Sequence, residues 1–103
     1  MRNMGKMMKQ AQEMQAKMGK LQEDLAHKEV EGTSGGGMVV VKMNGQQEVL
    51  SIRIEPDVFD DGDKEMLEDL VVAAVNEARR LALELAREEM SKITGGLPLP
   101  GLF

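Results

Sequence analysis

The chain has 103 residues, with 18 acidic and 13 basic side chains, a formal net charge of −5, one histidine, and no cysteine, tryptophan or tyrosine. That composition excludes a thiolate nucleophile, a cysteine-based zinc or iron–sulfur site, a disulfide framework and any multi-histidine metal centre. The length suits one small domain with a thin stability margin that oligomerisation would widen.

No run of about 18 apolar residues exists to span a membrane, and the N-terminus lacks the short apolar core of a secretory signal. A cytoplasmic location is expected. The acidic total argues against a wholly basic nucleic-acid wrapper, since phosphate binding depends on concentrated lysine and arginine. The charge is uneven, however. Residues 1–22 hold Arg2, Lys6, Lys9, Lys17 and Lys20 against Glu13 alone, a net +4, whereas residues 55–69 hold eight carboxylates against Lys64, a net −7.

From Met4 to His27, Met4, Met7, Ala11, Met14, Met18, Leu21 and Leu25 follow one another at spacings of 3, 4, 3, 4, 3 and 4. This heptad seam predicts a long amphipathic helix with a polar, mildly cationic outer face. From Val30 to Ile54 the period changes. Glycines punctuate two β-branched runs, Met38–Met43 and Glu48–Ile54, and Asn44-Gly45 between them is the favoured pair for a type I′ hairpin turn. With Lys28–Ser34 as a preceding strand, the middle reads as a three-stranded antiparallel meander. Leu50, Ile52 and Ile54 should face one side and Ser51 and Arg53 the other.

Glu55-Pro56 closes the sheet. Asp60, Asp61, Asp63 and Glu65 gather where carboxylates cap a helix and oppose its dipole. A second helix is predicted from about Lys64 to Ile93, ended by Thr94-Gly95-Gly96-Leu97-Pro98. Residues 1–94 form one α+β domain in this scheme and residues 95–103 a flexible tail. A helix of about 30 residues runs about 45 Å, while strands of six or seven residues span about 20 Å. Its apolar face therefore overhangs the sheet, and so does the methionine seam. The other helix of the same chain together with a second copy is the simplest cover, which predicts a homodimer with Met7, Met14, Met18, Leu81 and Leu85 at the interface.

Several chemistries fail on inspection. Counted from Asp57, Asp61, Gly62 and Glu68 match positions 5, 6 and 12 of a calcium-binding loop, but Phe59 at position 3 cannot ligate, so helix capping explains these acids better. Heptad spacing makes the methionines packing residues rather than a copper site. His27, at a helix end, has no serine or cysteine partner. The triple glycine and Asn44-Gly45 do not open a helix as phosphate loops do. No cofactor, metal site or catalytic set is found, and no enzyme activity is expected.

Met8-Lys9-Gln10-Ala11-Gln12-Glu13-Met14-Gln15, the stretch from Val30 through Gly37 to Val41, the helix opening Asp63 to Ala74, and the tail with Gly101-Leu102-Phe103 together resemble the YbaB/EbfC family of bacterial nucleoid-associated proteins. Glu55 departs from that family's more frequent aspartate, a change that keeps the charge. The resemblance implies an α-β-β-β-α protomer, a homodimer whose helices project like tweezer arms, and binding of double-stranded DNA with roles in nucleoid organisation and gene expression. The cations placed to meet phosphate are Arg2, Lys6, Lys9, Lys17 and Lys20 on the first helix and Arg79, Arg80, Arg87 and Lys92 on the second. With only Phe59 and Phe103 as aromatics, stacking on single strands is not expected. The competing function is a protein-interaction scaffold whose methionine-rich seam and apolar tail dock a partner such as a replication or recombination protein.

Overall fold

The computed structural model describes residues 3–60 and 62–95. Arg2, Asp61 and residues 96–103, which make up nearly all of the expected tail, lie outside the described residues. The elements are α1 (Met4–Ala26), β1 (Glu29–Ser34), β2 (Val39–Asn44), β3 (Val49–Ile54), α2 (Pro56–Asp60) and α3 (Lys64–Thr94). The expected α+β order is observed, with α2 added. Pro56 starts that short helix because its fixed φ suits a first helical turn, and Val58 anchors it by burial.

At the start of α3, the Asp63 carboxylate accepts a hydrogen bond from the Met66 amide at 2.9 Å. This satisfies one of the free donors at the helix end. The helix stops at Gly95, which adopts a left-handed φ of 66° and donates its N–H to the Ser91 carbonyl.

The strands form an antiparallel sheet in the order β1-β2-β3. Their register puts Val30, Gly32 and Ser34 of β1, Val39, Val41 and Met43 of β2, and Ile52 and Ile54 of β3 on one face. The α3 helix lies on this face, packing Ala74, Ala78 and Ala82 against Val39, Val41 and Met43. Alanines four residues apart let the helix come close, and Gly32 lets it come closer still. A Cβ at Gly32 would collide with the backbone of Ala74 and Ala78. The helix is thereby seated over β1 and β2. Val49, Leu50 and Ile52 of β3 stay 47%, 48% and 46% exposed.

The β2–β3 turn differs from the type I′ expectation. Asn44 pairs with Glu48, its N–H donating to the Glu48 carbonyl at 3.0 Å, so the loop has three residues rather than two. Gln47, not Gly45, takes the positive φ, 66°. This is a type I turn followed by a left-handed residue. An extra residue, Leu50, then bulges out of β3 opposite the Lys42/Met43 step. Tertiary contact decides the outcome, because Gly45 is buried against the end of α1 and cannot serve as a free turn tip.

A second apolar cluster joins the two long helices. Leu21 and Leu25 of α1 are buried against Ala86 and Met90 of α3, with Met18, Leu85 and Ile93 beside them. The helices run antiparallel, so the part of α3 that overhangs the sheet is covered by α1 of the same chain. Met18 and Leu85, expected at a dimer interface, contribute to this packing. The overhang that remains belongs to α1, in which every residue from Met4 to Lys17 is exposed. The result is a rod of 71 × 21 × 16 Å with a radius of gyration of 19.2 Å, against about 13 Å for a compact domain of this length.

Candidate nucleic-acid interface

Lys6, Lys9, Glu13, Lys17 and Lys20 follow one another along α1 at spacings of 3, 4, 4 and 3. At 100° per residue the four lysines fall within an arc of about 80° centred on Glu13, outside the methionine seam but flanking it at Lys17. All four are exposed, and none takes part in an ion pair among the described residues. They extend about 21 Å along the helix. Composition signalled a cationic helix, but not a single lysine stripe. The 3-4-4-3 spacing was the available signal.

At the root of the arm, Lys17 and Lys20 meet Lys92 around a shallow groove of 180 Å³ between α1 and α3, which Asp24 and Glu89 also line. Glu89 accepts hydrogen bonds from Lys28 at 2.8 Å and from Lys92 at 3.3 Å. The Lys28 bond first, and then Lys92, hold the Glu89 carboxyl below its ordinary range. Lys92 is thus partly neutralised, while Lys17 and Lys20 are not.

The arginines of α3 differ among themselves. Arg80 donates to Glu77 at 2.6 Å and to Glu84 at 2.7 Å. This pairing, chiefly the bond to Glu77, raises its pKa further and lowers that of Glu77. Arg79 donates to the Gln47 side chain at 3.2 Å, tying α3 to the β2–β3 turn. Arg87 is exposed and makes no ion pair among the described residues. Arg87 therefore presents a guanidinium with no ion-pair partner among the described residues, whereas that of Arg80 is already committed. Arg2 is outside the described residues.

The carboxylates gather at the opposite pole. Asp57 and Asp60 of α2, the capping Asp63, and Glu65, Glu68 and Asp69 of α3 lie at the far end of a helix about 46 Å long. A cluster of like charges repels a polyanion, so the field of the molecule is asymmetric, anionic at this pole and cationic along the arm. Among the described residues no three carboxylate or imidazole groups come together as a metal site, and no helix is long and apolar enough to cross a membrane.

A three-stranded sheet, one helix across it and a lone cationic helix leaving it define an α+β protein built around a projecting arm. The chain belongs to the YbaB/EbfC DNA-binding family, whose sequence profile matches residues 1–97. It is 57% identical over 101 residues to a nucleoid-associated protein of Caldanaerobacter subterraneus subsp. tengcongensis, spanning 98% of this chain and 91% of the relative. A nucleoid-associated protein of Desulfotalea psychrophila is 50% identical over 100 residues, spanning 97% and 94%. The crystal structure of an uncharacterized protein from Helicobacter pylori shares the fold, with a TM-score of 0.79, 23% identity, and coverage of 89% of this chain and 97% of that one.

Proposed function

We propose that the protein is a homodimeric nucleoid-associated protein that holds double-stranded DNA against its helical arms and alters the conformation of the duplex, with effects on nucleoid organisation and gene expression. The lysine stripe carries this reading: four exposed cations, in no ion pair among the described residues, on one face of a helix uncovered from Met4 to Lys17 and remote from the acidic pole. Lysines on a smooth helix contact phosphate rather than base edges, so binding carries weak or indirect sequence preference and depends strongly on salt.

The second copy is supported by exposed apolar surface. Val49, Leu50 and Ile52 line the part of the sheet that α3 leaves open, and Val72 on the flank of α3 is 58% exposed. The free edge of β3 is a surface that soluble proteins cover or protect, and a two-fold copy covers it without a new partner. Met7 and Met14 on the arm, and Leu81 on α3, extend the candidate interface. The protein should shift random-sequence duplex and leave a single strand of the same length largely free. Equal affinity for both would overturn the duplex reading.

The scaffold reading rests on Met4, Met7 and Met8, which are 62%, 64% and 62% exposed at the arm's end and offer an adaptable apolar contact. Replacing Lys6, Lys9, Lys17 and Lys20 by glutamine would strongly weaken DNA binding under the first reading and leave partner capture intact under the second.

A further inference from the structure

The turn between β2 and β3 does more than reverse the chain. A helix leaves its last carbonyls without intrahelical donors, and in α1 the hairpin tip supplies donors to two of them, Leu25 and Ala26, and also bonds the chain on either side, at Gln22 and Lys28. The Gly45 amide donates to the Leu25 carbonyl at 2.8 Å and to the Lys28 carbonyl at 3.0 Å. The Asn44 side-chain amide donates to the Ala26 carbonyl at 3.3 Å, and the Gln46 amide side chain donates to the Gln22 carbonyl at 2.7 Å.

Asn44 is only 4% exposed. Its side-chain oxygen Oδ1 accepts from the Gln46 and Glu48 backbone amides at 2.9 and 3.0 Å, which locks the tip's own shape. Gly45 does not have a positive φ, so it is required for closeness instead. A Cβ there would sit 2.7 Å from the Leu25 carbonyl oxygen and 2.8 Å from Leu25 Cδ2.

We infer that Asn44, Gly45 and Gln46 form a bracket that sets the direction of the α1 arm and, through it, the affinity for DNA; they are positioning residues, and the inference rests on the DNA-binding reading above. The apolar contacts of Leu21 and Leu25 with α3 keep the helices together, but such contacts are non-directional. The bracket's hydrogen bonds are directional. The arm is also a long lever. From Gln22 to Lys6 it extends about 24 Å, so a tilt of about 10° moves Lys6 by about 4 Å. That exceeds the rise of about 3.4 Å between successive phosphates of one strand.

The absence of cysteine from the chain makes the test clean. Spin labels at Met8→Cys on the arm and Thr33→Cys on the outer face of β1 report the arm's direction, with labelled protein diluted in unlabelled protein to isolate distances within one chain. Gln46→Ala removes one bracket bond from an exposed side chain, and Gly45→Ala wedges the bracket open. Gln22→Ala, which keeps the carbonyl that Gln46 uses, is the control. Thermal unfolding, the distance distribution and affinity for a random duplex are measured for each.

The inference expects Gln46→Ala to keep its thermal midpoint, broaden the distance distribution and bind duplex three- to tenfold more weakly, with Gly45→Ala more severe and Gln22→Ala unchanged. A wild-type distance distribution in Gln46→Ala overturns it, whatever becomes of Gly45→Ala. So does a broadened distribution with undiminished affinity. Absence of duplex binding by the unsubstituted protein instead removes the DNA-binding reading, and with it the link to affinity.

Discussion

Glutamine at positions 6, 9, 17 and 20 removes the charge of the stripe while leaving the helix nearly as favourable, because lysine and glutamine have similar helix propensities. If each of the four lysines neutralises one phosphate, the logarithm of the binding constant falls with the logarithm of salt with a slope of about −3.6 for one engaged arm and about −7.2 for two. Doubling the salt from about 0.1 M then weakens binding about 12-fold for one arm and about 150-fold for two. Fluorescence anisotropy of a labelled random duplex over a series of salt concentrations measures the slope directly, and circular dichroism checks that the helix is retained. The quadruple variant is expected to lose that slope, retaining only what Arg87 and Lys92 contribute. Retention of the parent slope by a variant of unchanged helicity would refute the assignment of phosphate contact to this face.

Ile52→Arg puts a charge on the open part of the sheet and is expected to raise the dimer dissociation constant about 100-fold or more, taking about 1.5 kcal/mol for each of two symmetric isoleucines; sedimentation showing an unaltered dimer would rule out this face. Gly32→Ala forces a methyl group into the backbone of α3 and should destabilise the fold by about 2 kcal/mol or more in urea unfolding, so a change below about 0.5 kcal/mol would contradict the close approach of β1 and α3. Glu89 has a lowered pKa from Lys28 and then Lys92, so its stabilising contribution is present above the ordinary carboxylate value and disappears as pH falls through the lowered one. The unfolding midpoints of the parent and Glu89→Gln should converge over that interval, and a constant separation at every pH would count against the clamp.

Periodicity alone made most of the architecture legible. The 3-4 spacing predicted α1, the β-branched runs separated by glycine predicted the meander, and the acidic opening and glycine stop framed α3. Two features were hidden because they depend on partners rather than on pattern. Asn44-Gly45 has the chemistry of a type I′ turn, yet it docks on the last turn of α1, and that contact selects a longer loop. The seam from Met4 to Leu25 reads as uniform, but α3 ends alongside Met18, so only its last rungs are buried within the chain. The cations were visible one by one. Their separation into a free stripe on α1 and the acid-paired Arg80 on α3 required the neighbours that only the fold supplies.

The N-terminal half of α1 is poorly suited to standing alone. It has no capping side chain at Asn3 and no acidic residue in its first turn; Gly5 lowers helix propensity there, and Lys6 sits where the helix macrodipole favours anions. Without tertiary cover, a segment of this length is marginally helical in water. In the DNA-binding reading, phosphates docked along the lysine stripe compensate the dipole and relieve repulsion among the lysines. Duplex binding then stiffens the same lever whose direction the hairpin bracket sets.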